Sequence, residues 1–535
     1  MNQLIRNILS LVVCFSLQQS IISQTANFIE GIKNDWSFFT DRIIYSDNSG
    51  IYYRLNNDTN LYYSDGTSAG TKATGYIFSS QVFTSPDFSV FSHDNNYTAL
   101  GTSSAPFDII IFKDKSSTFE YVEKAVGAFN GMTFFNGRMY YIYAPTGSKS
   151  TKLMEYDPIA KTKKEILTFE SHGAFGISVL KDKLIVIAYK DGNNLLSINP
   201  TNGTYEAIYN FDATNSFATF TNMMVSEDKM YFWYPNNTFT YSLYVTEGVK
   251  NSTLVLLNNI GKYDPFVYYA QNVLKVGGGK IIARVKDKDS FNVNYAYFSD
   301  GTVAGTTKLQ YKDVQNFNPY DFEYFCNRFY FSALDETGVT KLFSTDGTSL
   351  GTTKLSDVKI GSLVKFNNRL YMNGEPSQTA ELYAWDDKAG KIVFVLDVNK
   401  MARESDPREF ATTKDKLFMT AVKSNLDISY NLAVMTEPTR NKEECIASSL
   451  FDIESFEFNI FPNPFSSGFT INKEITDEST FNVTITDLMG NVIVDQINVK
   501  FPFEQNTIEW APGMYIVKFT SRNQSLKTIR LIKIN

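Results

Sequence analysis

Short apolar runs recur down the chain, each entered through a polar or glycine turn and a basic residue. They read DRIIY at Arg42, NGRMYYIY at Arg138, KDKLIVIA at Lys183, EDKMYFWY at Lys229, GGKIIA at Lys280, CNRFYFS at Arg328, NNRLYM at Arg369 and KDKLFM at Lys416, with a weaker copy, DNNYTAL, at Asn96. The eight intervals from 42 to 416 average (416 − 42)/8, about 47 residues, and a period of that size signals a repeat architecture. The runs are aromatic and β-branched, which favours strands, and helical periodicity is nearly absent.

A second element follows each run. It is clearest as LYYSDGTSAGTK around Asp65 and Gly66, YAYFSDGTVAGTTK around Asp300 and Gly301, and KLFSTDGTSLGTTK around Asp346 and Gly347. Degraded copies stand at Glu247 and Asp386. Asp-Gly supplies the positive φ of a tight turn, and the threonine hydroxyls can hydrogen-bond the turn backbone, so these residues are expected to be structural. A unit of about 47 residues holds four strands of about six residues and four connections, the length of one propeller blade. The expected fold is all-β: a β-propeller of eight or nine blades over residues 24–440. Two stacked sandwiches or an open solenoid is the alternative; a ring leaves fewer exposed strand edges. The DGT segments resemble the ELW-x-x-DGT repeat of large secreted bacterial proteins.

The pattern changes after residue 457. Phe461-Pro462-Asn463-Pro464 opens the segment, Asp487-Leu488-Met489-Gly490 forms a hairpin between alternating runs, Pro512-Gly513-Met514-Tyr515 follows, and Lys527, Arg530 and Lys533 interleave with aliphatic residues in a last strand. Together these resemble the type A C-terminal sorting domain of the type IX secretion system, although Trp510-Ala511 replaces the usual Leu-Ser or Leu-Pro. The resemblance implies an Ig-like β-sandwich over 458–535 and the secretion machinery of a Gram-negative bacterium as a partner. It also implies a secreted or surface-attached location, reached through the periplasm, with possible attachment to anionic lipopolysaccharide. Residues 441–457 are polar and aperiodic and read as a linker.

The first 23 residues have a basic Arg6, an apolar stretch from Ile8 to Leu17 and small residues before Gln24, which reads as a signal peptide. No stretch reaches the roughly 18 apolar residues of a spanning helix. A formal charge of −7 without a basic cluster argues against nucleic acid as a partner. The cysteines are Cys14, Cys326 and Cys445, so no disulfide framework is expected.

Catalytic signatures are scarce. Two histidines, His93 and His172, cannot build a three-histidine metal site. Gly277-Gly278-Gly279-Lys280 is followed by Ile281, where a phosphate loop needs Ser or Thr, so a hairpin turn is expected. The DGT aspartates lack a calcium-loop spacing. Tyr231, Trp233 and Tyr234 could stack on sugars, but strand alternation makes them core residues. No cofactor, metal or catalytic residue is assigned. The expected function is non-covalent binding or adhesion to an unknown glycan or protein ligand, with a carboxylate-based carbohydrate-active or peptide-processing enzyme as the alternative.

Overall fold

A computed structural model describes residues 26–29, most of 42–437 and most of 458–534; the stretches 1–25, 30–41, 79–87, 212–222, 261–273, 438–457 and 474–480, and several shorter loops, lie outside the description. The expected leader, the linker, His172 and Gly490 are among the residues not described.

Nine four-stranded antiparallel sheets follow one another between residues 26 and 436. Blade 1 runs Arg42–Ser46, Ile51–Arg54, Asn60–Ser64 and Lys72–Ile77, and blades 2 to 8 repeat the four-strand meander. The ninth is built differently. Arg408–Thr412, Lys416–Ser424 and Asp427–Thr436 supply three strands, and Ala26–Phe28 from the other end of the chain supplies the fourth. Ala26 pairs with Met435 and Phe28 with Ala433, and the Ile29 amide donates to the Leu432 carbonyl at 3.0 Å.

Nine apolar clusters fill the nine blade interfaces. Tyr52 and Leu61 of blade 1 meet Leu100 and Phe112 of blade 2. At the other end of the series, Ile51 and Tyr53 of blade 1 meet Phe418, Leu432 and Val434 of blade 9. A cluster at that last interface closes the ring, so the molecule is a propeller and the stacked and solenoid alternatives fall. Each large apolar side chain buried there contributes about 1.5–3 kcal/mol.

The second strand of each blade is sandwiched between its neighbours, which is why those segments read as continuous apolar runs. Met230 to Pro235 of blade 5 are all buried, Tyr231, Trp233 and Tyr234 among them, so these aromatics are core as expected. Seven of the basic residues that mark the repeat, from Arg138 to Lys416, head second strands. Arg42 does not. It heads the inner strand of blade 1, and the true counterpart is the turn at Gly50 before Ile51, where no basic residue marks the position.

The turns into the second strands are tight. Gly278 and Gly279 have φ of +57° and +72° and connect Leu274–Gly277 to Lys280–Lys286, as a hairpin rather than a phosphate cradle. Cys326 and Asn327 form the same kind of turn in blade 7, with φ of +51° and +58°. Cys326 is disulfide-bonded, so the fold carries a bridge that the cysteine count did not lead one to expect.

The C-terminal strands form two sheets. Numbered within this unit, Phe458–Phe461, Gly468–Lys473 and Phe503–Asn506 pair in the order 1-2-5, and Val492–Val499, Phe481–Asp487, Gly513–Ser521 and Gln524–Lys533 in the order 4-3-6-7. Phe469 and Ile471 of one sheet pack on Val483, Ile485, Val517 and Phe519 of the other around a single core.

Candidate functional site

The DGT turns lie between the third and fourth strands of their blades. One oxygen of each carboxylate is held inside its own turn, and Asp346 Oδ2 also lies 4.0 Å from Arg328 of the same blade. Asp346 Oδ1 accepts from Thr348 N at 2.9 Å and Thr348 Oγ1 at 2.8 Å, while Thr348 Oγ1 in turn accepts Gly351 N at 2.8 Å. Asp65 and Asp300 repeat the arrangement with Thr67 and Thr302. At Asp300 burial raises the carboxyl pKa, but the hydrogen bonds from Thr302, its own backbone amide and the charge of Lys229 together leave the group below its ordinary value. The second glycine of the motif makes room for this carboxylate: a Cβ on Gly351 would lie 1.9 Å from Asp346 Oδ1.

The first glycine faces the preceding blade. Gly347 has φ of +102°, and a Cβ there would lie 2.2 Å from Cε1 of Phe298 in blade 6. Gly301 of blade 6 sits against Tyr231 and Lys229 of blade 5, and Lys229 Nζ donates to the Asp300 carbonyl at 3.2 Å. Gly66 of blade 1 sits against Lys416, Phe418 and Val434 of blade 9. The two sequence elements of the repeat, the basic head of the second strand and the DGT turn, therefore meet across blade boundaries. Neither motif alone announces this contact, and the only sequence signal for it is that both recur with one period.

On the inner strands that line the centre of the ring, the backbone bulges repeatedly. Register shifts fall between Tyr320 and Glu323 in blade 7, Ile360 and Leu363 in blade 8, and Arg408 and Ala411 in blade 9. Asp321 and Glu409 occupy matching places in two of these bulges with φ of +52° and +48°, a left-handed conformation that costs a non-glycine residue on the order of 1–3 kcal/mol. Blade 8, whose bulge holds Gly361 and Ser362, stands between them, so the two carboxylates do not come from adjacent blades. Asp321 is exposed as a residue, while desolvation of its carboxyl by the surrounding protein pushes it up to about 6 against the pull of Arg284. Sequence reasoning missed this residue, since nothing in NPYDFEYF marks a bulge. Among the described residues no group of three or more His, Cys, Asp or Glu is placed to hold a metal ion.

In the C-terminal unit the motif residues converge from opposite ends. Asn463 donates through Nδ2 to the Arg530 carbonyl at 2.9 Å and accepts the Ile532 amide on Oδ1 at 3.0 Å. Phe465 continues the pairing, its amide donating to the Ile532 carbonyl at 2.9 Å and its carbonyl accepting from Ile534 at 2.8 Å. Lys533 is buried and donates to the Ser466 carbonyl. The Pro462 and Pro464 segment thus lies along the last strand, with Phe461 left half exposed beside it.

The other motif residues hold turns. Asp487 accepts the Asn491 amide at 2.9 Å and its side-chain Nδ2 at 2.8 Å. Pro512 and Gly513 lead exposed into the sixth strand, and Tyr515 donates to the Ala511 carbonyl at 2.7 Å. Trp510, a departure from the family pattern, packs its ring 4.8 Å from Tyr515 and against Phe465 and Phe469. It fills core space, and the departure is a larger apolar residue at an apolar site.

Residues 459–534 match the family described as secretion system C-terminal sorting domain. No curated protein matches the chain. Among solved structures, the chain is similar to the β-propeller domain of the Trilobed protease from Pyrococcus furiosus, at 16% identity over 58% of this chain and 98% of that one, with a TM-score of 0.32. It is also similar to BamB from Moraxella catarrhalis, at 10% identity over 65% and 96% with a TM-score of 0.35, and to the Dos1 propeller, at 15% identity over 65% and 92% with a TM-score of 0.38. The sorting domain marks the protein for export, to secretion or surface attachment.

Proposed function

We propose that the chain is an exported binding protein in four parts: a leader of residues 1–23, a propeller of 24–440 that recognises its ligand non-covalently, a linker of 441–457, and an Ig-like sorting domain of 458–535 read by the type IX machinery. The observation that carries the export half is the match over 459–534, together with the Asn463 clamp on the last strand. A folded, export-competent tail needs both ends of that unit in contact. After transport the protein is released or attached to anionic lipopolysaccharide at the surface. The propeller's ligand is a glycan or a polypeptide. The DGT carboxylates, held within their own turns, support a scaffold role for the repeat, leaving recognition to other surfaces.

Deleting residues 450–535 tests the export reading. The truncated protein should accumulate in the periplasm with the leader removed, and normal surface amounts of it would refute the reading. A second reading, a hydrolase using carboxylates, draws support from Asp321, whose strained backbone and raised pKa suit a proton donor in the central channel. Turnover of a polysaccharide or peptide that disappears in Asp321→Asn would favour the enzyme over the binder.

A further inference from the structure

A groove of about 670 Å³ follows the outermost strand of blade 4, Tyr205–Asn210, and is walled across from it by Lys250, Asn251 and Thr253 of blade 5. Its size falls within the roughly 300–1,000 Å³ of small-ligand sites. It lies on the outer side of the ring, away from the bulged inner strands, and the degraded repeat copy at Glu247 supplies its facing wall where the clear DGT turns supply none.

The lining is chemically one-sided. Lys190 and Lys250 both line it and no Asp or Glu does, a local reversal of sign in a chain of formal charge −7. Neither ammonium group has an ion-pair or hydrogen-bond partner among the described residues. Leu196, Ala207 and Ile208 give an apolar part to the wall, and the Tyr205 ring stands 40% exposed at one end. The amides are preset. Asn194 donates to the carbonyls of Lys190 at 2.6 Å and Gly192 at 3.2 Å and accepts from Asn210 Nδ2 at 3.0 Å, which leaves Asn210 Oδ1 as a fixed acceptor. Asn251 is held at φ of +64° on the facing loop.

We propose that this groove binds a segment of acidic oligosaccharide. The sugar face packs on Tyr205, a ring with an apolar body and a polar tip; its carboxylate or sulfate groups pair with Lys190 and Lys250; and its hydroxyls meet Asn210 Oδ1 and the Asn251 amide. A nucleic acid would need a longer row of cations than two. A neutral glycan would leave both ammonium groups unused. The proposal rests on the binding reading of the propeller and gives that reading a place and a ligand class.

Affinity electrophoresis and calorimetry of the full chain test it, using oligogalacturonate for carboxylate, carrageenan oligomers for sulfate and dextran as the neutral polymer. One or both acidic polymers should bind and dextran should not, with affinity falling as salt is raised. Lys190→Gln with Lys250→Gln should weaken binding on the order of tenfold, the worth of two exposed ion pairs. Tyr205→Ala should weaken it at unchanged salt dependence, and Lys115→Gln with Lys500→Gln, the same charge change elsewhere, should leave it intact. Full affinity in the groove double variant overturns the groove while the binding reading stands. Absence of binding to both acidic polymers also overturns it, and if a broad glycan and peptide array is silent as well, the binding reading falls with it.

Discussion

Replacing Gly347 by alanine separates two costs that the DGT turn combines. The backbone there has φ of +102°, which a side chain adopts at a cost of about 1–2 kcal/mol, and the new Cβ would sit 2.2 Å from the Phe298 ring of the neighbouring blade. Real Cβ atoms do not approach so closely, so Phe298, at 7% exposure, must move within a packed interface at a further 1–3 kcal/mol or so. Gly338, in the same blade, is the matched control. Its φ is +74° and a Cβ would meet nothing within 4 Å, so Gly338→Ala should cost about 1–2 kcal/mol from the backbone alone. Equilibrium denaturation of the full chain, followed at the propeller transition, should therefore place Gly347→Ala about 1–3 kcal/mol below Gly338→Ala. Shortening the obstacle should restore part of the loss, so that Phe298→Ala and Gly347→Ala couple by at least about 0.5 kcal/mol. Equal midpoints for the two glycine variants would refute the claim that the turn is an inter-blade joint.

Asn463→Ala removes two hydrogen bonds to the last strand and should destabilise the sorting domain by about 1–2 kcal/mol, read by its own unfolding transition and by a lower exported fraction; unchanged stability would discount the clamp. Asp321 has a folded-state pKa of about 6 against an ordinary 3.8, so the native state holds its proton more tightly. The stability this group contributes is full below about 3.8 and is lost as pH rises through 6. Asp321→Asn should accordingly gain melting temperature relative to the unchanged protein at pH 8 but not at pH 4, and a difference that does not vary with pH would contradict the assignment. Deleting residues 24–29 removes the fourth strand of blade 9 and should make the propeller sensitive to protease, with early cuts in Asp427–Thr436; undiminished resistance would mean the ring holds without it.

The ring was legible in the sequence because its second strands are buried on both faces, and such strands must be apolar throughout. Its blade count was readable to within one unit, and the doubt lay where burial does not write a pattern. The inner strand of blade 1 begins with Arg42 and mimics the repeat, while the real second strand at Ile51 lacks a basic head. The closing strand Ala26–Phe28 is three residues long, too short for periodicity to register. In the sorting domain the motif letters were legible and their purpose was not. That Asn463 reaches Arg530 and Ile532 is a contact across 67 and 69 positions, which no local pattern encodes. The groove beside Tyr205 was invisible for the same reason, since Lys190 and Lys250 come from different blades, and Asp321 because a bulge depends on register and not on residue type.

Both units are fastened by their own extremities: Ala26–Phe28 pairs with Asp427–Thr436 in the propeller, and Asn463 and Phe465 pair with Gln524–Lys533 in the sorting domain. A ribosome makes the first partner of each pair long before the second. Bringing together ends separated by about 400 residues costs on the order of 5 kcal/mol in loop entropy, and that cost falls due only when the final blade exists to meet it. Any chain broken off early therefore lacks a latch in whichever unit it was building and exposes an unpaired strand edge that proteases can use. A chain cut short before Gln524–Lys533 therefore presents an unsealed tail, and one cut short before Asp427–Thr436 an open ring.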